Sequence, residues 1–560
     1  MTTLLKNGKV VNVFTDKIEE KNVLIEDRKI IGVGDYDEAD IVIDVSGKYI
    51  CPSFIDGHIH IESTMLLPHE LSNVCVPHGT GTIIADPHEI ANVCGVNGIK
   101  YMMEASRDLP MEVYIALPSC VPATGFDESG AVLLADDLAP LYSEESTICL
   151  GEMMNYPGVL AKDPQVMEKI RQAQENGMLI NGHAPLLSGK GLDQYISCQI
   201  SDDHECSNID EATERIQKGQ WIMIREGTSA RNLENLIELF NEPYCRRCLL
   251  VTDDKHPYDL ISNGHIDAII RKTAALGKDP IVGIRMATIQ AAEHFGLKYR
   301  GAVAPGYKAN LLVLNDLETV DVCDVFHNGI QVCRNKDIAE ADAREVDIAL
   351  SSPVFKSFNI EPLIASDFTI EPQSDTCRVI KVIPGEILTG NTTEKLDFSH
   401  DNGVDVERDI IKIAVCERHK NTGHIGLGFI KDLGLKKGAI ASSVSHDSHN
   451  LIIAGTNEAD MALAGNTVAE MGGGLCAVAD GKVIAALPLP VAGLMSTKDA
   501  ATVAEENRKV RDAAAQLGCA EDVEPFMSLA FISLPVIPDL KMTTIGLVDV
   551  SKWEIVPLFV

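Results

Sequence analysis

The sequence predicts an α/β protein: a (β/α)8 TIM-like barrel, a small β-sandwich built from both flanks of that barrel, and a C-terminal α/β domain. Three observations predict it. Short apolar runs alternate with helical stretches eight times between residues 49 and 299, and about 250 residues is the usual span of such a barrel. β-rich runs with turn signals bracket that region on both sides. Beyond residue 350 the alternation gives way to β runs of different spacing.

The flanks are justified first. Residues 4–11 and 22–32 are β-rich and carry turn signals at Asn7-Gly8 and Asp27-Arg28. Residues 1–48 are too few to enclose a core alone. Similar runs return at 309–314 and 325–329. Residues 1–48 and 300–350 are therefore expected to form one sandwich around a catalytic barrel of residues 49–299.

Barrel strands are expected at 49–55, 80–86, 112–117, 147–152, 178–183, 198–204, 221–226 and 248–253. Helices are expected at 90–106, 164–176, 210–218, 231–240 and 281–295. Chemistry in such barrels sits at the C-terminal strand ends. Those ends carry His58 and His60, Asp86 and His88, Glu152, His183, His204, Glu226, and Asp253 with Asp254. Side chains without a shared purpose would be scattered along the strands. His58 and His60 stand two apart, so on a strand they share a face and can hold one metal ion. Many His-x-His pairs are merely surface or core histidines. This one ends a buried strand beside Asp56 and Gly57, which favours the metal.

Residues 351–560 form the C-terminal domain, with strands expected at 378–383, 409–415, 439–443, 450–454 and 474–479 and helices at 457–471 and 500–517. It carries two histidine clusters, His419 with His424 and His446-Asp447-Ser448-His449. The second is expected to cap the barrel mouth or hold a further ion.

Composition narrows the function classes. The chain has 560 residues, 45% hydrophobic and 5% aromatic, with a formal charge of −34. Such a surface repels nucleic acid and anionic membranes, so neither is expected as a partner. No basic segment followed by an apolar run opens the chain, and no apolar run is long enough to span a membrane. Fifteen scattered cysteines then suit a reducing cytoplasm. Cys245 and Cys248 form a lone Cys-x-x-Cys leading into a strand, which suits neither zinc nor redox chemistry.

Phe54-Ile55-Asp56-Gly57-His58-Ile59-His60 resembles the first metal motif of the amidohydrolase superfamily, and the order His183, His204, Asp253 matches it. His58-Ile59-His60-Ile61-Glu62-Ser63-Thr64, Ala85-Asp86-Pro87-His88-Glu89-Ile90-Ala91-Asn92-Val93 and Met471-Gly472-Gly473-Gly474 resemble the adenine deaminase family. The resemblance covers essentially the whole chain. Many superfamily members bridge two metals with a carboxylated lysine after strand four. Here Leu150-Gly151-Glu152 offers Glu152, which can bridge two cations unmodified.

The resemblance implies hydrolytic deamination of adenine to hypoxanthine and ammonia by metal-activated hydroxide at a binuclear centre, in purine salvage. His58, His60 and Asp253 would bind one metal and His183 and His204 the other, with Glu152 between and His88 an extra ligand. This imidazole and carboxylate set suits Mn²⁺, Fe²⁺ or Zn²⁺, and the family implies Mn²⁺. Asp253 would take a proton from the attacking water and return it to the leaving amine. Glu226, preferred over Glu62, would protonate the ring nitrogen; its alternative is an ion pair with Arg225. Asp86 would orient His58 or His183. Ser63, Glu89, Arg225, His446 and His449 are expected near the substrate or behind the ligands, and Asp254 is expected to point away. A homo-oligomer, guessed as a dimer, is expected. The alternatives are another amidohydrolase acting on a different purine or cyclic amide, or an inactive assembly protein of the same fold. Glu152 and the Asp-Pro-His-Glu segment oppose the first, and the filled ligand positions oppose the second.

Overall fold

A computed structural model describes residues 1–560 apart from Asp127, Ser229, Gly385, Glu386, His400, Glu521 and Asp522. Eight parallel strands ring the barrel: Phe54–Ile59, Thr80–Ala85, Glu112–Leu117, Thr147–Met153, Leu179–Gly182, Asp202–Asp203, Trp221–Arg225 and Cys248–Val251. The first five pair in one sheet and the last three in another. Parallel bridges of Ile180 with Ile200 and of Ile59 with Asp253 join the two and close the ring. Alternate strand residues serve different surfaces. Ile84, Ala116, Cys149, Met223 and Leu249 share one apolar cluster with Phe295, while Ile83, Ile115, Leu150, Ile222 and Leu250 join a larger one with the surrounding helices.

Three local expectations are corrected. The first run, read as 49–55, breaks at Ser53. Tyr49–Pro52 belongs to the flanking sheet and Phe54–Ile59 to the barrel, because the Ser53 N–H donates to Asn310 O and the Phe54 N–H to Gly79 O. His58 therefore lies within its strand and His60 just past it. The sixth strand, read as 198–204, shrinks to Asp202–Asp203. The carboxylate of Asp202 there accepts from Gly182 N, Asn181 and Ser201, so its side chain ties the segment to the fifth strand and adds to the short ladder that pairs it with the seventh. The helix read at 231–240 is only a 3-10 turn at Ile237–Phe240. Asn232 holds that segment off the helix: its Oδ1 accepts from Arg225 N and its Nδ2 donates to the carbonyls of His204 and Cys206.

The two flanks combine. Tyr49–Pro52 pairs antiparallel with Leu311–Leu314 and joins them into one nine-stranded sheet. Leu5, Val23, Ile50, Leu311 and Phe326 fill its core. The C-terminal region is built on an eight-stranded sheet with Ile410–Cys416, Leu451–Gly455 and Ala439–Ser442 at its centre. Helices Glu458–Glu470, Ala500–Gln516 and Pro525–Ile532 accompany it. Asp499 caps the second of these by accepting from Thr502 N.

The C-terminal region docks on the barrel mouth. Ser496 N donates to Met65 O, Ala500 N to Glu70 Oε2 and Asn450 Nδ2 to Glu128 O. One apolar cluster runs through both, including Met65, Leu66, Leu494 and Val503. Among the described residues, no helix is long and apolar enough to cross a membrane.

Candidate metal centre and active site

Six buried side chains from five strand ends converge. Glu152 lies at their middle. Its Oε1 is 3.3 Å from His60 Nε2 and 3.7 Å from His58 Nε2. Its Oε2 is 2.6 Å from His183 Nδ1 and 3.3 Å from His204 Nε2. Asp253 Oδ1 is 3.2 Å from His58 Nε2 and 3.1 Å from His60 Nε2. One carboxylate thus faces an imidazole pair with each of its oxygens.

Local structure explains the convergence. Asp56 Oδ1 accepts from the N–H of His58 and of Thr252, and its Oδ2 from the Thr252 hydroxyl. That ties the first strand to the eighth directly below the site. Asp253 then takes a left-handed backbone (φ 60°) while its N–H donates to His58 O. Few non-glycine residues adopt this conformation, and those that do are often functional. Asp86 Oδ2 accepts from Glu152 N. It reaches that N–H only because residue 151 is glycine, where a Cβ would lie 2.1 Å from Asp86 Oδ2. Asp86 thus positions Glu152, and its carbonyl takes His60 Nδ1–H at 3.0 Å. The sequence reading had it orient His58 or His183.

The donor set fits divalent metal. A carbonyl only accepts, so the Nδ1 proton of His60 is fixed and its Nε2 faces two carboxylates. A proton on Nε2 or a metal cation between the three groups satisfies that arrangement. Burial opposes charge on His60, yet Asp253 and Glu152 outweigh it and raise the ring's pKa well above its usual value. His58 Nε2 and His204 Nδ1 are buried without hydrogen-bond partners. Burial also opposes ionisation of Glu152, but His183, His204 and His60 hold its carboxyl well below the usual range.

Glu205 is a site residue the sequence reading missed. Its Oε1 is 3.4 Å from His204 Nε2 and 3.6 Å from His183 Nδ1. Arg225 binds it through its two terminal guanidinium nitrogens, Nη1 at 2.6 Å and Nη2 at 3.1 Å, and Nη1 also donates to Asp253 Oδ2 at 2.9 Å. Against burial, Arg225 and the His58 and His60 rings keep Asp253 well below the ordinary carboxylate range. Glu205 directly follows His204 on a strand end, which was the available signal.

The remaining expected residues divide. His88 borders the cluster, with Nδ1 3.6 Å from both Asp86 Oδ1 and Glu152 Oε1. Ser63 lies between Glu89 Oε1 (2.8 Å) and Asp254 Oδ1 (2.5 Å). Asp254 therefore lines the pocket, against expectation, because the eighth strand ends at Val251 and the turn at Asp253 swings it inward. Glu62 sits behind the pocket, accepting from Ile90 N in the first turn of helix His88–Ala105. Glu226 is not brought in. Met223 and Arg225 share the inward face, so Glu226 faces out and pairs with Lys272 at 3.0 Å.

The loop after Ala439–Ser442 delivers His446 and Asp447 to the pocket. His446 Nδ1 is 3.4 Å from Glu89 Oε1. Glu89, His446 and His449 are near enough to share an ion, but Ser445 N–H donates to His449 Nδ1. The ring proton is then on Nε2, which faces Glu89 Oε2 across 4.0 Å, so His449 is set as a donor rather than a ligand. In the other histidine cluster, His419 Nε2 supports Ser448 O, and His424 pairs with Glu128. Neither lines the pocket.

Comparison with known proteins covers the whole chain. The family described as "Amidohydrolase family" matches residues 49–341, and the "Adenine deaminase C-terminal domain" family matches residues 386–554. The adenine deaminase of Dehalococcoides mccartyi is 45% identical over 557 residues, 99% of this chain and 96% of that protein. The adenine deaminase of Desulfatibacillum aliphaticivorans is 43% identical over 566 residues, 99% and 97%. That of Geobacillus kaustophilus is 42% identical over 557 residues, 99% and 96%.

Proposed function

The chain belongs to the adenine deaminase family of the amidohydrolases, and from that premise we infer that it hydrolyses adenine to hypoxanthine and ammonia. The observation that carries the site chemistry is Glu152, with one oxygen toward His58 and His60 and the other toward His183 and His204. His58, His60 and Asp253 would hold one divalent ion and His183 and His204 the other, with Glu152 shared and His88 in reserve. Ions held there would supply an acidified water near neutral pH and Lewis-acid polarisation of the substrate.

The reaction adds water oxygen to the ring carbon bearing the amine and releases that amine as ammonia. Asp253 is the proton carrier. Arg225 and the two imidazoles keep it ionised, so it can accept a proton from water and pass it to the departing nitrogen. Arg225 also fixes its orientation against Glu205.

The ring nitrogen needs a second proton source, and Glu226 faces away. The Ser63 hydroxyl has a single proton yet lies within hydrogen-bond reach of both Glu89 and Asp254. A proton held on Glu89 would satisfy both contacts. Burial first, then Asp254, raises the pKa of Glu89 against the pull of His446. The Glu89–Ser63–Asp254 group takes the role first read for Glu226.

Carboxylate-rich donors without thiolate favour Mn²⁺, with Fe²⁺ or Zn²⁺ as substitutes. Fifteen unpaired cysteines favour a reducing cytoplasm, where purine salvage would place the reaction. A homodimer belongs to the same reading, on chain size and family.

The test is ammonia release from adenine by Mn²⁺-reconstituted protein, with metal counted on the same sample. Release with about two ions per chain, the count a bridged pair requires, supports the reading. Bound metal without ammonia release would redirect it to other purines or cyclic amides.

A further inference from the structure

The pocket over the metal ligands has two walls of different chemistry. The barrel wall is ionic, with Glu152, Glu205, Arg225, Asp253 and Asp254 among its side chains; its apolar members are Met154 and Ala230. The wall from the C-terminal region carries an apolar patch, Ile387, Phe531, Leu534 and Ile537, edged by the polar His446 and Asp447. The His446 ring lies against the Phe531 ring, centroids 4.6 Å apart and 20° from parallel.

This apolar wall is held from behind. Phe531 sits on helix Pro525–Ile532, whose first turn is capped by the Glu524 carboxylate accepting from Met527 N. Lys541 Nζ donates to the carbonyls of Phe531 (3.0 Å) and Ile387 (3.1 Å), pinning the two apolar segments together. Ser533 Oγ donates to His446 O, which fastens the histidine loop to the end of the same helix.

We propose that Phe531, flanked by Ile537 and stacked on His446, is the platform for the flat face of the purine ring, so that the C-terminal region supplies the substrate-recognition half of the site. This rests on the adenine reading above. A purine has two apolar faces and a polar rim. Its amine-bearing carbon must point at the strand ends, so a face has to lie on another wall, and the apolar wall is the C-terminal one. Stacking on an aromatic side chain rewards the larger bicyclic ring over a pyrimidine.

The experiment uses the full chain loaded with Mn²⁺. It measures steady-state deamination of adenine, calorimetric binding of hypoxanthine, and metal per chain. Phe531→Leu should raise KM and weaken hypoxanthine binding about tenfold, the change that ~1.4 kcal/mol of lost stacking gives. Metal content should hold and kcat should change far less than KM, and Phe531→Trp should recover most of the loss. Should Phe531→Leu lose metal or fold poorly, Ile537→Ser carries the same test on the same wall. Unchanged KM and hypoxanthine affinity in the variants, with an active parent, overturn the platform alone. A parent that neither deaminates adenine nor binds hypoxanthine overturns the adenine reading and the platform together.

Discussion

Glu152 joins two imidazole pairs through one carboxylate. A neutral amide bridges two cations poorly, so Glu152→Gln should lose turnover and a substantial share of bound metal, read by elemental analysis. Normal activity with full metal would remove the bridge. Glu226 makes the opposite case. Its carboxylate faces Lys272 outside the pocket, so Glu226→Gln should leave kcat within about threefold of the parent, less than the roughly hundredfold typical of a lost acid or base. Steady-state kinetics decide it, and a large drop in kcat would return Glu226 to the chemistry. The sequence named Arg225 and Glu226 together but could not say which points inward. That depends on strand parity, which a one-residue shift in boundary reverses.

Two elements meet at Gly151. The fourth strand brings Glu152 to the mouth, and the end of the second brings Asp86 to its backbone. Gly151→Ala sets a Cβ 2.1 Å from Asp86 Oδ2 and 3.0 Å from Leu117 O. The carboxylate must then move and release the Glu152 N–H, at a cost of ~1–3 kcal/mol for a buried charged partner. Circular dichroism should show a folded protein, while metal analysis should show reduced occupancy; full occupancy would mean that Asp86 is dispensable. The helix Pro525–Ile532 and the Ile387 segment share Lys541 in the same way. Burial lowers the Lys541 pKa from 10.5 to about 7. Across that window the unfolded chain binds the extra proton, so this lysine makes stability rise with pH, by up to ~1.4 kcal/mol per unit. Urea unfolding at about pH 7.5 and about pH 9.5 should show that rise diminished in Lys541→Met, and equal slopes would discount it.

On the scale of the whole molecule, the metal centre is a buried concentration of carboxylates in a chain of formal charge −34. Glu152, Glu205 and Asp253 meet there with Arg225 as the fixed cation. Ions bound only by the native state stabilise it by mass action, ~2.7 kcal/mol at a hundredfold excess over Kd. Chelation should therefore lower the melting temperature by several degrees in calorimetry, and Mn²⁺ should restore it. A melting temperature indifferent to both would mean the cluster binds no ion. The C-terminal region closes over this centre through Ser496, Ala500 and Asn450, so the pocket is a property of the joined molecule.

The sequence by itself determined the barrel, the joining of its flanks and the six converging residues. Those follow from local patterns: apolar runs at strand length, and His58, His60, Glu152, His183, His204 and Asp253 at or beside their C-terminal ends. Tertiary structure alone decided the rest. The Asp253 backbone conformation turned Asp254 inward. Asn232 kept its segment from becoming helix. Glu205 gained meaning only beside Arg225, and Phe531 reached the pocket only through the docking of a distant helix. Each of these depends on contacts between segments far apart in the chain, and periodicity along a chain carries no record of such contacts.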